Sequence, residues 1–110
     1  VLAEAPDGTP GADEEMFGPV ANVWRVDSLS EAIARANRSD YGLGSAIFTQ
    51  DEDEIAQAVR DLEAGSTFVN ALVASDPRLP FGGVKQSGYG RELAADGIRA
   101  FVNRKTVSIS

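Results

Sequence analysis

Hydrophobic and polar positions along the chain follow two periods, one typical of strands and one typical of helices. Three short segments are rich in β-branched or aromatic residues, which favours strands, and they are residues 20–26, 43–49 and 66–70. Between consecutive segments, apolar residues recur at i, i+4 and i+7 and form one face of a helix. These residues are Leu29, Ile33 and Ala36 in the first helix and Ile55, Val59 and Leu62 in the second.

Residues at the ends of the two helical segments support this interpretation. Ser28-Leu29-Ser30-Glu31 fits the Ser-x-x-Glu capping box, in which each side chain satisfies a free backbone N–H at a helix start. Asp51-Glu52-Asp53-Glu54 puts acids on the first turn of the second helix, where the helix dipole favours negative charge. Consecutive carboxylates on a helix diverge by about 100° each, so this run indicates a helix start and not a metal site. Gly65 occupies the position expected for a C′ glycine.

The order strand–helix–strand–helix–strand predicts an α/β fold. Short crossover helices between apolar strands imply parallel strands joined by right-handed connections. Three strands make a sheet too small to cover both faces, so we expect this layer to be a piece of a larger sheet. Beyond it, residues 92–96 predict a short helix that Gly97 breaks. Residues 106–110 alternate strictly, which predicts an edge strand that completes a second sheet in this chain or in a partner's.

Composition limits the partners of this chain. It has 110 residues, 43% of them hydrophobic and 25% charged, as in an ordinary globular protein long enough for its own core. The net charge of −7 argues against nucleic acid or an anionic membrane as a partner. No apolar run approaches the roughly 20 residues needed to span a bilayer, and no secretory signal pattern opens the chain, so a cytoplasmic setting is expected.

Composition also limits the chemistry. The chain contains no Cys and no His, which excludes thiol nucleophiles, His-based triads, zinc sites and disulfides. We therefore assign no catalytic residue and no metal ligand. Any reaction in which this chain takes part needs a nucleophile and a base from elsewhere.

Residues 79–92 contain four glycines and a proline and lie between two segments of regular periodicity. Glycine at this density indicates a shaped loop that packs closely against other parts of a protein. A P-loop requires Lys and then Ser or Thr after its last glycine, whereas Tyr89-Gly90 follow Gly88 here. A dinucleotide fingerprint would need Gly at position 93, which is Leu93. Neither phosphate-binding motif fits.

Two well-separated motifs carry a resemblance to a known family. The first is Glu14-Glu15-Met16-Phe17-Gly18-Pro19-Val20, and the second runs through residues 80–92, Pro-Phe-Gly-Gly-Val-Lys-Gln-Ser-Gly-Tyr-Gly-Arg-Glu. Residues 36–43 between them and the terminal Lys105-Thr106-Val107 follow in the same order. From Glu14 onward the chain closely resembles the carboxy-terminal part of aldehyde dehydrogenases. Residues 75–81 most resemble the succinate-semialdehyde dehydrogenase branch.

The resemblance implies oxidation of an aldehyde to its carboxylate. In the family, a cysteine forms a thiohemiacetal, hydride passes to NAD or NADP, and a glutamate base assists hydrolysis of the thioester. The nucleophile, the base and the coenzyme domain all precede the stretch that this chain matches. Because the chain has no Cys, we expect it to be inactive alone and to bind neither NAD nor NADP by itself.

The resemblance also implies roles for individual residues. Glu15 matches the carboxylate that accepts hydrogen bonds from the nicotinamide ribose hydroxyls, and Phe17 matches the aromatic residue that packs near the nicotinamide. Ser75 and Phe81 match positions that line the aldehyde tunnel, and a small polar Ser75 suits an aldehyde that carries a carboxylate. Arg78 is a candidate partner for that carboxylate, with a surface position as the alternative.

We therefore expect three regions. Residues 1–13 form a surface connection, residues 14–90 the carboxy-terminal part of the catalytic domain, and residues 91–110 a terminal helix with an oligomerisation strand. The expected partners are a small aldehyde and further copies of the chain, because the terminal strand of such enzymes pairs with a neighbouring subunit. Two alternatives stay open: a self-standing, non-catalytic association module derived from such an enzyme, and a polypeptide cut from a longer enzyme.

Overall fold

The computed structural model describes residues 1–110 and contains six short strands and four helices. The strands are β1 (Leu2–Ala3), β2 (Asn22–Val23), β3 (Tyr41–Gly42), β4 (Ser45–Ile47), β5 (Thr67–Val69) and β6 (Val84–Lys85). The helices are α1 (Pro10–Asp13), α2 (Leu29–Asn37), α3 (Glu52–Asp61) and α4 (Ala94–Arg99). None of these helices has the length and apolar character needed to cross a bilayer.

The unit β4–α3–β5 contains the predicted parallel pair. β4 and β5 are parallel neighbours with Ser45 opposite Thr67, and α3 connects them. The Asn70 side chain extends this pairing, because its Oδ1 accepts from Thr49 N–H at 3.0 Å and its Nδ2 donates to Thr49 O at 2.8 Å. The α/β fold with parallel strands is confirmed, with strands shorter than the hydrophobic segments suggest.

Both central helices begin where their polar residues predict. Ser28 Oγ accepts a hydrogen bond from Glu31 N–H at 3.2 Å, and the Glu31 carboxylate accepts from Asp27 N–H at 3.0 Å. The capping box is present, although the glutamate reaches one residue further back than the motif predicts. At α3, Asp51 Oδ1 accepts from two N–H groups of the first turn, at 2.9 and 3.1 Å, which confirms the acidic run as a helix start.

The first predicted strand has a different neighbour from the one expected. β2 lies parallel to β1 and not beside β4, so the strands form three two-stranded sheets instead of one three-stranded layer. Side chains hold the N-terminal segment there: Trp24 Nε1 donates to Ala5 O at 3.0 Å, and Glu4 Oε1 accepts from Arg25 N–H at 2.7 Å. Residues 1–13, expected as a surface connection, are mostly exposed and include β1 and α1.

A further unexpected sheet pairs β3 with β6 in antiparallel orientation. Gly42 in β3 is buried, and an added Cβ there would lie 2.6 Å from Glu63 O and 2.6 Å from Val84 Cγ2. A strand of two residues has no periodic signal, so the hydrophobic pattern does not predict this pair. The pair attaches residues 79–92, hereafter the glycine loop, to the segment that follows α2.

Gly65 is not the C′ residue that its place in the sequence predicts. α3 ends at Asp61 and has its cap at Leu62, so Gly65 lies beyond the helix end. The backbone of the glycine loop lies directly against it, since an added Cβ at Gly65 would be 1.6 Å from Gly82 O. This position needs glycine because two backbones approach each other closely there.

The C-terminal region differs from the prediction in two ways. Gly97, predicted to break the terminal helix, lies inside α4. Residues 103–110 form no strand and take part in no backbone hydrogen bond within the chain. An edge strand needs a neighbouring strand to pair with, and this chain places none beside residues 106–110.

The chain buries few side chains. Ile33 and Ala58 are its buried hydrophobic residues, whereas Phe48, Leu72 and Phe101 are 65%, 80% and 93% exposed. The radius of gyration is 17.7 Å, against about 13 Å for a compact domain of similar length. The expectation that this chain has its own core is therefore wrong. The exposed apolar side chains agree with the other expectation, that the strands are a piece of a larger sheet.

Replacing Gly65 by Ala is expected to lower the free energy of unfolding by about 1–3 kcal/mol, because the new Cβ must displace the Gly82 carbonyl. Urea denaturation of the chain, followed by circular dichroism, measures this. Gly11→Ala is the matched control, since its Cβ would meet only Leu2 Cδ1, at 3.4 Å, and alanine favours the helix. Equal unfolding midpoints for the two variants would contradict the close contact.

Candidate functional site

The glycine loop is closed at its base by a backbone pair. Phe81 N–H donates to Glu92 O at 2.9 Å, and Glu92 N–H donates to Phe81 O at 2.7 Å. Inside the loop, Arg91 Nη1 donates to Gly83 O at 2.8 Å and to Gly90 O at 2.7 Å. The guanidinium thus satisfies two backbone carbonyls that have no strand or helix partner. The predicted shaped loop is present.

Lys85 joins the glycine loop to the carboxyl ends of both central helices. Its ammonium donates to Asn37 O at 2.6 Å and to Ser39 O at 3.0 Å, at the end of α2. The same ammonium lies 2.8 Å from Glu63 Oε2, just after α3. The last carbonyls of a helix have no partners within it and form the negative end of its dipole, so a cation is favourable there.

The next residues of the glycine loop contact β3 and the residue before it. Ser87 Oγ accepts a hydrogen bond from Gly42 N–H at 2.9 Å. Gln86 N–H donates to Asp40 O at 2.9 Å. These bonds hold Ser87 against the end of β3, immediately before Leu43.

Two open cavities meet at Leu43 and Ser87. The larger, of about 680 Å³, is lined by Glu15 and by residues at the ends of α2 and α3. The smaller, of about 410 Å³, is lined by Phe81 and other residues of the glycine loop and α4. Leu43 and Ser87 line both cavities and are hereafter called the dividing wall. The structure thus brings two predicted site residues, Glu15 and Phe81, to adjacent cavities.

Glu15 and Phe17 both face solvent. Glu15 is exposed, and its carboxylate makes no hydrogen bond or ion pair within the chain, so both oxygens are free to accept from a ligand. Phe17 is 90% exposed and has a φ of +42°. A positive φ is uncommon for a residue with a Cβ, and five other non-glycine residues of this chain share it. The Phe17 ring lines neither of the two cavities but is open to contact with a ligand.

Ser75, like Phe17, lines neither of the two cavities. It is exposed in the segment 70–80, which follows the carboxyl end of β5. Open α/β sheets bind ligands beyond the carboxyl ends of their strands, which agrees with this position. Its place in a binding site stays a prediction.

Arg78 is engaged by its neighbour Asp76. Arg78 Nη2 lies 2.6 Å from Asp76 Oδ2, and both Nε and the backbone N–H donate to Asp76 Oδ1 at 2.9 Å. These hydrogen bonds, above all the one from the Arg78 side chain, hold the pKa of Asp76 below its ordinary value of 3.8. The Arg78 side chain is also 87% exposed. The structure therefore favours the surface alternative for Arg78.

Sequence reasoning gives Lys85 and Arg91 no role of their own and does not single out Leu43 and Ser87. Only the β3–β6 pair brings Leu43 and Ser87 together, and two-residue strands have no pattern that would reveal it. The Lys85 contacts likewise depend on which helix ends lie beside the loop. No group of three or more His, Cys, Asp or Glu side chains is arranged to hold a metal ion.

Comparison with known proteins identifies the family of this chain. The sequence profile described as "Aldehyde dehydrogenase family" matches residues 1–107. This chain belongs to the aldehyde dehydrogenase family. The match includes residues 1–13, so the segment with β1 and α1 is part of the family pattern and not an addition to it.

Relatives within the family agree with this assignment. An aldehyde dehydrogenase of Paenarthrobacter nicotinovorans is 61% identical over 94 residues, which are 86% of this chain and 20% of the relative. Succinate-semialdehyde dehydrogenase (NADP+) 1 of Mycobacterium ulcerans is 56% identical over 94 residues, with the same coverage of both chains. The chain therefore spans about a fifth of the length of these curated relatives.

A solved structure shows the same fold. The crystal structure of succinic semialdehyde dehydrogenase from Streptococcus pyogenes in complex with NADP+ matches with a TM-score of 0.90 at 42% identity, over 97% of this chain and 24% of that one. The family, predicted from the two motifs, and the likeness to its succinate-semialdehyde dehydrogenases, predicted from residues 75–81, are confirmed.

Replacing Arg78 by Met is expected to raise the pKa of Asp76 toward 3.8, because the largest cause of its lowering is removed. A carboxylate whose folded pKa is lowered stabilises the fold above its unfolded pKa, and that contribution is lost as the pH falls through the folded pKa. An NMR titration of the Asp76 carboxyl carbon measures the shift. Arg104→Met, in the unpaired tail, is the control, and equal Asp76 titration curves in both variants would contradict the assignment.

Proposed function

We propose that this chain works as part of an NADP+-dependent aldehyde dehydrogenase that oxidises succinate semialdehyde to succinate. The observation that carries the proposal is the dividing wall. Glu15 and Phe81 come from two motifs that lie far apart in the sequence, yet they line cavities that share Leu43 and Ser87. Two relatives named as succinate-semialdehyde dehydrogenases with NADP+ support the choice of substrate and coenzyme.

In this proposal the larger cavity receives the nicotinamide end of the coenzyme. Glu15 fits this ligand, because its two unpaired carboxylate oxygens are suited to accept from both hydroxyls of a ribose diol. Phe17 packs its exposed ring near the nicotinamide and limits its movement. When bound, the coenzyme accepts the hydride that leaves the substrate. The chain's own contribution on this side is to orient that group.

The smaller cavity receives the aldehyde. Phe81 is half-buried at the base of the glycine loop and presents an apolar ring to the short carbon chain of the substrate. Ser75 supplies a small hydroxyl that donates to the distant carboxylate of a dicarboxylic semialdehyde. Arg78 is already bound to Asp76 and is assigned no contact with substrate. The Ser75 hydroxyl and the Phe81 ring together favour an aldehyde that has a short carbon chain and an anionic end.

The covalent step belongs to residues outside this chain. The family reaction uses a cysteine nucleophile, and this sequence contains none. The chain therefore contributes binding and orientation, and the isolated chain is expected to give no NADPH from succinate semialdehyde and NADP+.

A chimaera tests the proposal. The Mycobacterium ulcerans enzyme, with its matching segment replaced by this chain, is expected to reduce NADP+ with succinate semialdehyde, measured by the absorbance of NADPH. In that chimaera, Glu15→Gln is expected to slow hydride transfer by about fivefold, since hydrogen bonds to a charged group contribute about 1 kcal/mol more than neutral ones. Single-turnover mixing of enzyme, NADP+ and substrate separates this step from product release.

Glu14→Gln is the matched control for Glu15→Gln. Glu14 is also exposed and lines the same cavity, but the family motif gives it no coenzyme contact. The Glu14→Gln chimaera is expected to transfer hydride at a rate within about twofold of that of the unsubstituted chimaera. Such a change is smaller than the effect of one hydrogen bond to a charged group. Equal rates for both variants would refute the role of Glu15, and an inactive unsubstituted chimaera would refute the proposed function.

The C-terminal tail supports a further part of the proposal, which is association between subunits through residues 106–110. Val107 and Ile109 are 70% and 92% exposed and alternate with polar residues. The backbone groups of residues 103–110 have no partner within the chain, so they are open to pair with a strand of a neighbouring subunit.

Removing residues 106–110 from the chimaera is expected to lower its mass in sedimentation velocity, because the pairing strand is lost. Arg104→Ala, just before the removed residues, keeps the strand and is expected to keep the mass. An unchanged mass after the deletion would contradict association through this tail.

A further inference from the structure

We propose that Lys85 is a positioning residue for this site. Its ammonium holds the glycine loop to the carboxyl ends of α2 and α3, and thereby fixes the dividing wall between the coenzyme and substrate cavities. The inference rests on the proposed function, and it adds a residue to which neither the motifs nor the family comparison gives a role.

The ammonium of Lys85 is fully satisfied by three acceptors. It lies 2.6 Å from Asn37 O, 3.0 Å from Ser39 O and 2.8 Å from Glu63 Oε2. An ammonium has three donor protons, so each acceptor accounts for one of them. The Lys85 side chain is only 25% exposed, which is low for a lysine and differs from a solvated surface cation.

The acceptors of Lys85 form one rigid cluster. Asn37 Nδ2 donates to Asp61 O at 2.7 Å, and Asn37 Oδ1 accepts from Glu63 N–H at 2.9 Å. These two bonds tie the end of α2 to the end of α3. Lys85 therefore binds where hydrogen bonds already join the end of α2 to the end of α3.

The backbone of Lys85 is unusual in a way that agrees with this role. Its φ is +54°, in the left-handed region that residues with a Cβ rarely adopt. Two bonds of the same turn, Ser87 N–H to Val84 O at 3.2 Å and Gly88 N–H to Lys85 O at 3.3 Å, are long. These weak bonds alone give little support to a strained turn, whereas the ammonium bonds reach outside it to two helices.

The route from Lys85 to the dividing wall is short. Lys85 pairs with Tyr41 in the β3–β6 sheet, and each of these strands has only two residues. A sheet of this size does not hold its own register. Leu43 follows one strand, and Ser87 follows the other and accepts from Gly42 N–H at 2.9 Å. Loss of the ammonium is therefore expected to let both wall residues shift relative to Glu15 and Phe81.

The test compares variants in the active chimaera. Lys85→Met keeps the length of the side chain and removes the charge and the donors, and it is expected to raise the KM for both succinate semialdehyde and NADP+ by about fivefold or more. Lys85→Arg keeps a cation with several donors and is expected to restore most of the lost affinity. Lys105→Met, in the unpaired tail, is the control and is expected to leave both KM values unchanged.

The variant Glu63→Gln distinguishes the contribution of the ion pair from that of the two carbonyl acceptors of Lys85. This change removes the ion pair and keeps both carbonyl contacts, and Glu63 is 58% exposed. Because exposed ion pairs contribute little, its KM values are expected to rise by less than those of Lys85→Met. A merely structural Lys85 would lower the amount of active enzyme, and thus kcat per milligram, without changing KM, and that result would overturn the proposal.

A second measurement does not depend on activity. Hydrogen exchange on the chimaera, followed by mass spectrometry, is expected to show faster exchange in Lys85→Met at the peptides that contain Gly42 and Ser87, and unchanged exchange in α3. Unchanged exchange at Gly42, or a uniform increase along the whole chain, would overturn the proposal. If the unsubstituted chimaera is inactive, the proposed function fails and this exchange pattern still decides whether Lys85 holds the wall.

Discussion

The backbone carbonyls at the carboxyl end of α2 are the constraint on which the rest of the site depends. A helix cannot satisfy its own last carbonyls, and Lys85, from a distant part of the sequence, donates to the last one of α2, Asn37 O, and to Ser39 O just beyond the helix. Asn37 satisfies a carbonyl at the end of α3 in the same cluster. One polar cluster therefore fixes the two central helices and the glycine loop together, and the dividing wall lies directly beside it.

Polar contacts of this kind link elements of a chain that buries few of its own side chains. The chain buries the side chains of Ile33 and Ala58 and leaves large apolar residues such as Phe48 and Phe101 exposed. Exposed apolar side chains of this size mark an interaction face where they are contiguous. The curated relatives are about five times as long as the segment they share with this chain, which is ample chain to cover these faces in the proposed enzyme.

The carboxylates of this acidic chain fall into two groups with different capacity for binding. Asp7, Asp61 and Asp76 each lie against an arginine, and hydrogen bonds from Arg38, Arg60 and Arg78 respectively lower their pKa values. Their oxygens are occupied, so they serve the fold. Glu15 has no such partner and lines an open cavity. Glu14 shares both properties, so it is the match of Glu15 to the family motif, together with its free oxygens, that favours Glu15 as the ligand-binding group.

Local sequence determined the features that depend on neighbouring residues. Ser28 and Asp51 mark helix starts, and the spacing of apolar residues predicts α2 and α3 because a helix face depends only on periodicity. The parallel β4–β5 pair follows from the short connection between its strands. The two motifs likewise sufficed to identify the family, since they are continuous stretches of residues.

Tertiary structure alone decided the contacts between segments that are far apart in the chain. The β1–β2 and β3–β6 pairs have strands of two residues, too short for any period, and Gly65 serves a loop that no local pattern places beside it. The role of the glycine loop is likewise visible only in the tertiary structure. Gly82 lies in close backbone contact with Gly65, and Lys85 donates to a free carbonyl at the end of α2. Such partners are set by packing in space, which periodicity along a chain does not encode.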